Sequence, residues 1–351
     1  MYRQQLIRAW IALCLWFGFS ACGQSLERAD PSPSPEIEFK SNRSASFSIP
    51  SLNRNQIGIR IVKPDGEGPF PVLIGIAGGD GVYAFNQFEF SDRLRELGIV
   101  TVDFAPQGRG NSEGEDNFHG YVHQDDLKAV VDFVSGLPFV KGDHIGVISF
   151  SYGVALAAGA LSRYPDMPVA FLIDWEGPSN PGRDLQRGIE NNETWAINTL
   201  ARLSGGEKIT AEDYWNLRIH GGAISDEKYW AERDAAHFAR GLPCPYLRVQ
   251  FDRDHVQGTS KSAMMEIINA ATKHSHQWTR CNDNPANIIY TEIELPKYHF
   301  HQYEAGEIPG LGIANQSVEE VLLGYIEEMF FLNPYEKPSQ GFIPGHHNDA
   351  G

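Results

Sequence analysis

The sequence predicts an α/β fold in which a mostly parallel β-sheet carries helices on both faces. Two observations support this prediction. Short apolar runs rich in β-branched residues alternate with amphipathic segments from residue 37 onward, as in successive β-α-β units. The chain has 351 residues, enough to bury one large core, and no internal repeat is visible in it.

The strands are predicted from the apolar runs. The first two are expected to form an antiparallel pair joined by an Asn-rich turn, and the others to run mostly parallel. The predicted strands are residues 44–50, 56–62, 71–77, 99–104, 144–150, 169–173, 246–251 and 288–295.

The helices are predicted between the strands. In residues 125–137 the apolar side chains Leu127, Val130 and Val134 recur with helical spacing, and acidic residues occupy the first turn. The other helical segments are residues 85–97, 154–161 and a final helix that Ser317 would cap.

The first 21 residues resemble a signal peptide. Arg3 and Arg8 precede an apolar segment at residues 9–19, which is too short to span a bilayer. Small residues then precede Cys22, as in the lipobox of bacterial lipoproteins. We expect the mature chain to be exported and anchored to a membrane of the bacterial cell envelope by a lipid on Cys22, with ordinary secretion as the alternative.

Two further segments are predicted to lie outside the folded domain, which we place at residues 37–332. Residues 22–36 are polar and rich in Pro and Ser, which indicates a tether without a core of its own. Residues 333–351 are predicted to form a flexible C-terminal tail.

Charge and cysteine spacing argue against two classes of function. Lys and Arg total 29 against 45 acidic residues, the net charge is −16, and no basic cluster occurs, so nucleic acid is not expected as a partner. The cysteines lack the spacing of a zinc site, and we expect neither a metal nor a cofactor. Cys244 and Cys281 precede the last two predicted strands, which would be parallel neighbours, so an exported chain is expected to join them in a disulfide.

The segment around Ser151 has the pattern of a strand, a tight turn and a helix. The apolar run ends in Ser149-Phe150-Ser151-Tyr152-Gly153, and a helix-like segment follows. Small residues two positions either side of Ser151 permit a turn that lifts a nucleophilic hydroxyl above the sheet. The alternative is a buried strand that meets a helix and carries a serine by chance.

Residues 37–332 resemble the α/β-hydrolase superfamily, nearest the branch of dienelactone hydrolases and prolyl-oligopeptidase-type catalytic domains. The resemblance rests on the Ser151 turn and on further segments that occur in the family's order. These are residues 70–79, similar to the third strand and its oxyanion loop, residues 102–114, similar to the Gly-Arg-Gly-x-Ser turn, and residues 229–245, similar to the approach to the acid-bearing strand. The resemblance implies an eight-stranded sheet and a Ser-Asp-His triad with Ser151 as nucleophile.

The acid of the triad is expected in the loop after the strand at 246–251. The family pattern places it at Asp254, although Phe251 stands where Gly is usual. Asp252 is an alternative within the same loop. Asp174 and Glu176 are a second alternative, because some family members carry the acid at the end of the preceding strand.

The base is expected in the loop after the last strand, where His299 and His301 both occur. Either could accept the proton of Ser151, and the distance from the end of the predicted strand favours His299 slightly. The resemblance also implies an oxyanion hole built from the backbone N–H of Tyr152 and that of Gly79 or its neighbour.

The long insertion at residues 177–242 lies where hydrolases place a lid. Its aromatic residues are expected either to line the substrate pocket or to fasten the lid to the body; they are Trp195, Tyr214, Trp215, Tyr229 and Trp230. The resemblance implies a serine hydrolase that cleaves a small carboxylic ester, or a related thioester or amide, through an acyl-serine intermediate, and the N-terminal segment implies that this enzyme is exported. A peptidase for short peptides and a catalytically silent binding protein of the cell envelope are the alternatives.

Overall fold

The computed structural model describes residues 37–41, 43–86, 90–206, 216–219, 221–303 and 316–332. The predicted signal peptide, the anchor at Cys22, the tether and the tail from residue 333 lie outside these residues. They therefore stay predictions, as does the placing of Tyr214 and Trp215 in a lid.

The strands of the described chain form one large sheet and one short ladder. Their bounds are β1 Ser44–Pro50, β2 Gln56–Val62, β3 Phe70–Ile76, β4 Val100–Phe104, β5 Val140–Phe150, β6 Val169–Trp175, β7 Arg218–Ile219, β8 Gly222–Ala223, β9 Tyr246–Val249 and β10 Thr279–Cys281. The large sheet has eight strands in the order β1-β2-β4-β3-β5-β6-β9-β10. β1 pairs antiparallel with β2, β2 pairs antiparallel with β4, and the other neighbouring pairs are parallel.

The α-helices lie mainly between the strands in sequence. They are α1 Phe90–Glu96, α2 Tyr121–Ser135, α3 Gly153–Arg163, α4 Pro181–Glu190, α5 Thr194–Leu203, α6 Glu227–Ala231, α7 Ala235–Ala239, α8 Ser262–His274 and α9 Gln316–Glu327. None of the described helices is both long and apolar enough to cross a membrane.

Side-chain alternation along the strands builds a core on each face of the sheet. In β3, Val72 and Ile74 pack with α2, α3, α7 and α8, whereas Leu73 between them packs with α1 and α9. All three side chains are fully buried. A parallel sheet buried on both faces needs such continuous apolar strands, and the predicted α/β class with helices on both faces is confirmed.

The last strand of the sheet is not the one that the sequence predicts. Residues 288–295 form no strand and lead into the 3-10 turn Leu295–Lys297, and the side chain of Ile293 is 89% exposed. The eighth strand is β10, which has three residues and pairs with β9. Because Thr279-Arg280-Cys281 is short and contains a charged residue, it carries no apolar signal.

The predicted disulfide is wrong, since Cys244 and Cys281 are both free, buried thiols. In the parallel register Cys281 lies opposite Arg248, which is four residues beyond Cys244. Four residues of extended chain span about 13 Å. A disulfide requires Cα atoms within about 7 Å, so the strand register keeps the two sulfur atoms apart.

The described part of the insertion between β6 and β9 holds helices α4 to α7 and the β7–β8 ladder. Helix α7 packs against α3 and α8, so the end of the insertion joins the body of the domain.

Candidate active site

Ser151 occupies a strained turn between β5 and α3. Its φ is +51°, in the left-handed region that non-glycine residues rarely adopt. A Cβ atom on Gly153 would lie 2.9 Å from the carbonyl oxygen of Ala77, and one on Gly78 would lie 2.5 Å from that of Phe150. Glycine at these two positions therefore lets the turn pack against the loop that follows β3.

His255 reaches the hydroxyl of Ser151. Its Nε2 lies 2.8 Å from Ser151 Oγ, and its Nδ1 lies 2.8 Å from Oε2 of Glu176. Glu176 is fully buried directly after β6, and it also has a positive φ, of +50°. A hydroxyl, an imidazole and a carboxylate in this order form the arrangement that activates a serine nucleophile.

The loop that carries His255 is shaped by Asp254. Its Oδ1 accepts hydrogen bonds of 2.8 Å from the backbone N–H groups of Val256 and Gln257. Paired backbone bonds between Asp254 and Gly258 close the loop. Asp254 Oδ1 is 3.8 Å from Nδ1 of His255, beyond hydrogen-bond distance, so Asp254 acts mainly on the backbone.

Both carboxylate oxygens of Glu176 are held by donors. Oε1 accepts from the backbone N–H of Phe251 at 2.9 Å and from Nε2 of Gln250 at 3.2 Å. Oε2 accepts from the backbone N–H of His255 at 2.9 Å and from the hydroxyl of Tyr303 at 3.4 Å. These donors fix the carboxylate and lower its pKa, but burial, together with the negative charge of Asp254, outweighs them and raises the pKa of Glu176 above its ordinary value.

A buried ion pair lies behind Glu176. Nη1 of Arg248 is 2.6 Å from Oδ2 of Asp174, and both side chains are fully buried. Arg248 also donates to Oε1 of Gln250 at 2.8 Å. Because the side-chain oxygen of Gln250 accepts the hydrogen bond from Arg248, the amide group is oriented with Nε2 toward Glu176. The ion pair therefore positions the carboxylate through Gln250.

The pKa of His255 is raised above its ordinary value. Burial lowers this pKa, but the hydrogen bond to Glu176 and the negative charges of Asp254 and Glu176 outweigh burial. The ring also stacks on Trp175 at 4.8 Å between centroids. The surroundings of His255 thus favour the imidazolium that forms when the neutral ring accepts a proton.

The loop after β3 is fixed beside the Ser151 turn. The carbonyl of Gly78 accepts from the N–H of Gly81 at 2.8 Å. The carbonyl of Gly79 lies 2.7 Å from Nη1 of Arg109 and 2.9 Å from Nε2 of His119. These bonds orient the two peptide groups on either side of Gly79. The N–H of Gly79 therefore has a fixed direction, as an oxyanion donor must have.

A cavity of about 100 Å³ opens beside Ser151. Its apolar walls include Leu185 from α4, Trp195 from α5, Ile219 from β7 and Val256. Arg202 and Thr199 of α5 add polar groups to the lining. The insertion therefore covers Ser151 and supplies most of the residues that line the cavity.

Comparison with known proteins supports the fold more than any particular activity. No protein-family model matches the sequence. A segment of 137 residues is 26% identical to the uncharacterized protein YcjY of Escherichia coli K12. That segment covers 38% of this chain and only 44% of YcjY, less than half of the relative's length.

Solved structures match over a larger part of the chain. The acylaminoacyl peptidase of Pyrococcus horikoshii superposes with a TM-score of 0.55 at 16% identity, over 87% of this chain and 44% of that chain. The acetyl xylan esterase of Paenibacillus sp. R4 superposes with a TM-score of 0.51 at 15% identity, over 83% of this chain and 87% of that chain. This chain has the α/β-hydrolase fold.

Within the α/β-hydrolase fold, His299 and His301 do not occupy the place that the sequence predicts for them. Nε2 of His301 lies 2.8 Å from the hydroxyl of Tyr325, and the His299 backbone bonds to Asn284. The histidine within hydrogen-bond distance of Ser151 Oγ is His255 instead. The prediction failed because it counted residues from the end of a strand, 288–295, that does not form.

The other predicted site residues are placed as follows. Asp254 lies beside His255, Asp252 is half-buried and bonds the N–H of Arg253, and Asp174 pairs with Arg248. Of the acid candidates, Glu176 alone makes a hydrogen bond to the ring of His255 among the described residues. His255 is not among the residues predicted from the sequence, although its position directly after Asp254, in a loop that follows a strand, was the available signal.

The aromatic residues in the described part of the insertion divide between the two predicted roles. Trp195 lines the cavity beside Ser151. Trp230 is buried against Tyr152 and Ala155, and its Nε1 donates to the carbonyl of Ala223 at 2.8 Å. Trp230 therefore fastens the insertion to the body of the domain, as does its partly buried neighbour Tyr229.

Proposed function

We propose that this protein is a serine hydrolase that cleaves a carboxylic ester through an acyl-Ser151 intermediate, with His255 as the general base and Glu176 as the acid that orients it. The observation that carries this proposal is the unbroken chain of two 2.8 Å contacts from Ser151 through His255 to Glu176. It lies at the strained turn after the central strand of a hydrolase fold. Neither the sequence match nor the structural matches assign an activity to this chain.

The chemistry follows from these positions. His255 Nε2 takes the proton of Ser151 as Oγ attacks the ester carbonyl carbon, which gives a tetrahedral oxyanion. Collapse of this intermediate breaks the bond to the alkoxy group, and His255 returns the proton to the departing oxygen, so an alcohol leaves. Water, deprotonated by His255, then attacks the acyl carbon, and a carboxylic acid is released as Ser151 regains its proton.

The oxyanion would be stabilised by two backbone N–H groups, those of Tyr152 and Gly79. The Gly78 carbonyl bond to Gly81 and the hold of Arg109 and His119 on the Gly79 carbonyl keep this loop in place. Each such donor contributes about 3 kcal/mol of transition-state stabilisation.

The small cavity favours an ester with a short acyl group. A volume of about 100 Å³ with apolar walls accommodates only a few carbon atoms beside Ser151. We expect kcat/KM to fall steeply along a series of p-nitrophenyl esters from acetate to octanoate. Short peptide amides, the alternative substrates, should be cleaved far more slowly than the acetate ester.

Labelling with a fluorophosphonate probe tests the proposal. The probe should attach to Ser151, and Ser151→Ala should abolish both labelling and ester hydrolysis. Ser149→Ala is the matched control, because Ser149 lies two residues before Ser151, near the end of β5, and is fully buried. If the wild-type chain neither reacts with the probe nor hydrolyses any ester, the alternative of a catalytically silent binding protein replaces this proposal.

We further propose that the enzyme acts at the bacterial cell envelope, held there by a lipid on Cys22. The support is the sequence pattern of the first 22 residues. Cys22→Ser should abolish incorporation of labelled palmitate and release the protein from membranes. A mature N-terminus at any residue other than Cys22 would indicate ordinary secretion.

A further inference from the structure

A second cluster of polar side chains lies on the segments that follow β10, away from the triad. Asp283, His299 and His301 each offer one potential ligand atom, and these three atoms lie within 4.8 Å of one another. A single residue separates His299 from His301 in extended chain, so their two side chains lie on the same side of the chain. Their ring centroids are 5.2 Å apart. The proposed triad uses none of these three residues.

The backbone that carries both histidines is held in place by hydrogen bonds. Asn284 accepts from the N–H of His299 at 2.8 Å and donates to its carbonyl at 3.0 Å. The N–H of His301 donates to the carbonyl of Gln250, and the His301 carbonyl accepts from the N–H of Asp252. The cluster is thus built on a fixed framework, although Asp283 and His299 are exposed.

The ring of His301 is also held. Its Nε2 lies 2.8 Å from the hydroxyl of Tyr325 on α9. Hydrogen bonds of this kind to one ring nitrogen commonly orient histidines that bind metals in proteins. The exposed carboxylate of Asp283 and the exposed ring of His299 leave the cluster open to an ion from solvent.

We propose that Asp283, His299 and His301 bind a divalent transition metal, for which Zn²⁺ is the best match. Two imidazole nitrogens and one carboxylate oxygen are a common donor set of zinc sites. Magnesium and calcium prefer sites made of oxygen atoms alone. This proposal departs from the expectation, drawn from cysteine spacing, that the chain holds no metal.

The metal has a structural role in this proposal. It joins the segment after β10 to residues 299–301, which bond to the backbone of Gln250 and Asp252. That backbone leads directly to His255, and Tyr303 stacks on Phe251 at 4.5 Å while its hydroxyl contacts Glu176. A bound ion would therefore stiffen the support of the triad without contacting the substrate.

Metal binding to the full-length purified chain tests this proposal. The chain is stripped with a chelator, and Zn²⁺ is then titrated by calorimetry while the metal content after dialysis is measured. We expect one Zn²⁺ per chain and a higher unfolding temperature with Zn²⁺, because an ion that binds only the folded state stabilises it. His299→Ala should lose the bound Zn²⁺ and the temperature increase but unfold like the wild type without metal, since its ring is exposed.

A matched control separates this site from the triad. Glu176, Asp254 and His255 also bring their potential ligand atoms within 4.8 Å, so the triad itself could take up Zn²⁺. His255→Asn should keep the Zn²⁺ that His299→Ala loses, and Asp283→Asn should weaken its binding. The proposal is overturned if the wild-type chain retains no Zn²⁺, if His299→Ala binds Zn²⁺ as the wild type does, or if His255→Asn alone removes it.

Discussion

Glu176 and Asp254 both lie beside His255, and their hydrogen bonds distinguish their roles. Glu176 accepts from the ring at 2.8 Å, whereas Asp254 caps backbone N–H groups and stays 3.8 Å from the ring. Glu176→Gln should therefore lower kcat by about 10⁴, as when the orienting acid of a serine protease is replaced by its amide. Asp254→Asn should cause a much smaller loss, because an amide oxygen can still accept from the backbone.

Steady-state kinetics on a short-chain ester would check this prediction, with circular dichroism to confirm that both variants fold. An inactive Asp254→Asn variant beside a nearly fully active Glu176→Gln variant would show that the acid is Asp254, as the sequence pattern favours.

The protonation of His255 should set the acidic limit of activity. Only the neutral ring can accept the proton of Ser151, so activity is lost as the pH falls through the pKa of His255. Burial lowers this pKa, yet Glu176 and Asp254 raise it above the ordinary value of 6.5. The acidic limb of kcat/KM should therefore lie above pH 6.5 in the wild-type protein.

Glu176→Gln should move this limb to lower pH, because it removes one of the negative charges beside the ring. Profiles of kcat/KM between about pH 5 and 9 report the pKa of the free enzyme. A limb below 6.5 that does not respond to the substitution would contradict the assigned pair.

At the scale of single elements, the turn at Ser151 depends on glycine at position 153. A methyl group there would lie 2.9 and 3.0 Å from the carbonyl oxygens of Ala77 and Ile76. Gly153→Ala should therefore destabilise the protein by about 1–3 kcal/mol, although alanine favours helices in general. Gly136→Ala is the control, because the nearest atom to its added methyl group is 3.5 Å away.

Urea denaturation of both variants gives the free energy of unfolding. If Gly153→Ala unfolds at the same urea concentration as Gly136→Ala and the wild type, the turn is less tightly packed than described.

The ion pair between β6 and β9 links the sheet to the site. Arg248 and Asp174 are both fully buried, so Asp174→Asn would leave a buried positive charge without its counter-ion. Removing one partner of such a pair costs about 3–5 kcal/mol. The exposed pair of Arg93 and Glu320 serves as a control, since Glu320→Gln should leave the free energy of unfolding nearly unchanged.

Chemical denaturation of these two variants compares the pairs directly. Equal losses in the two variants, or no loss in Asp174→Asn, would mean that Arg248 is satisfied by its other acceptors, Gln250 and the carbonyl of Gly177.

For the whole molecule, apolar patterning was enough to predict the sheet and the turn that presents Ser151. The other seven strands of the large sheet are long or strongly apolar, so their positions are visible in the sequence. β10 has only Thr279, Arg280 and Cys281, and its place is set by pairing with β9 rather than by its own residues. The sequence instead predicts the last strand at residues 288–295. Both the choice of His299 or His301 as the base and the predicted disulfide depend on that strand, so both are wrong.

The site was harder to predict because tertiary structure assembles it. Glu176 and His255 are 79 residues apart in sequence, and the folded chain brings them together by placing β6 beside β9. Glu176 is one of the alternatives that the sequence offers for the acid, whereas His255 is not among the predicted site residues. The direction of a loop side chain depends on local hydrogen bonds, such as those that Asp254 accepts from backbone N–H groups. The spacing of apolar residues in the sequence does not show such bonds.

The central claim is that Ser151 and His255 act as one unit. Its most direct test is kcat/KM for ester hydrolysis by Ser151→Ala, His255→Ala and the double variant, compared with His299→Ala and His301→Ala. We predict that the first three fall to the same low level, because residues that act together are not additive, and that the last two keep most of the activity. A His255→Ala variant with wild-type activity, or an inactive His299→Ala or His301→Ala variant that still folds, would contradict the account.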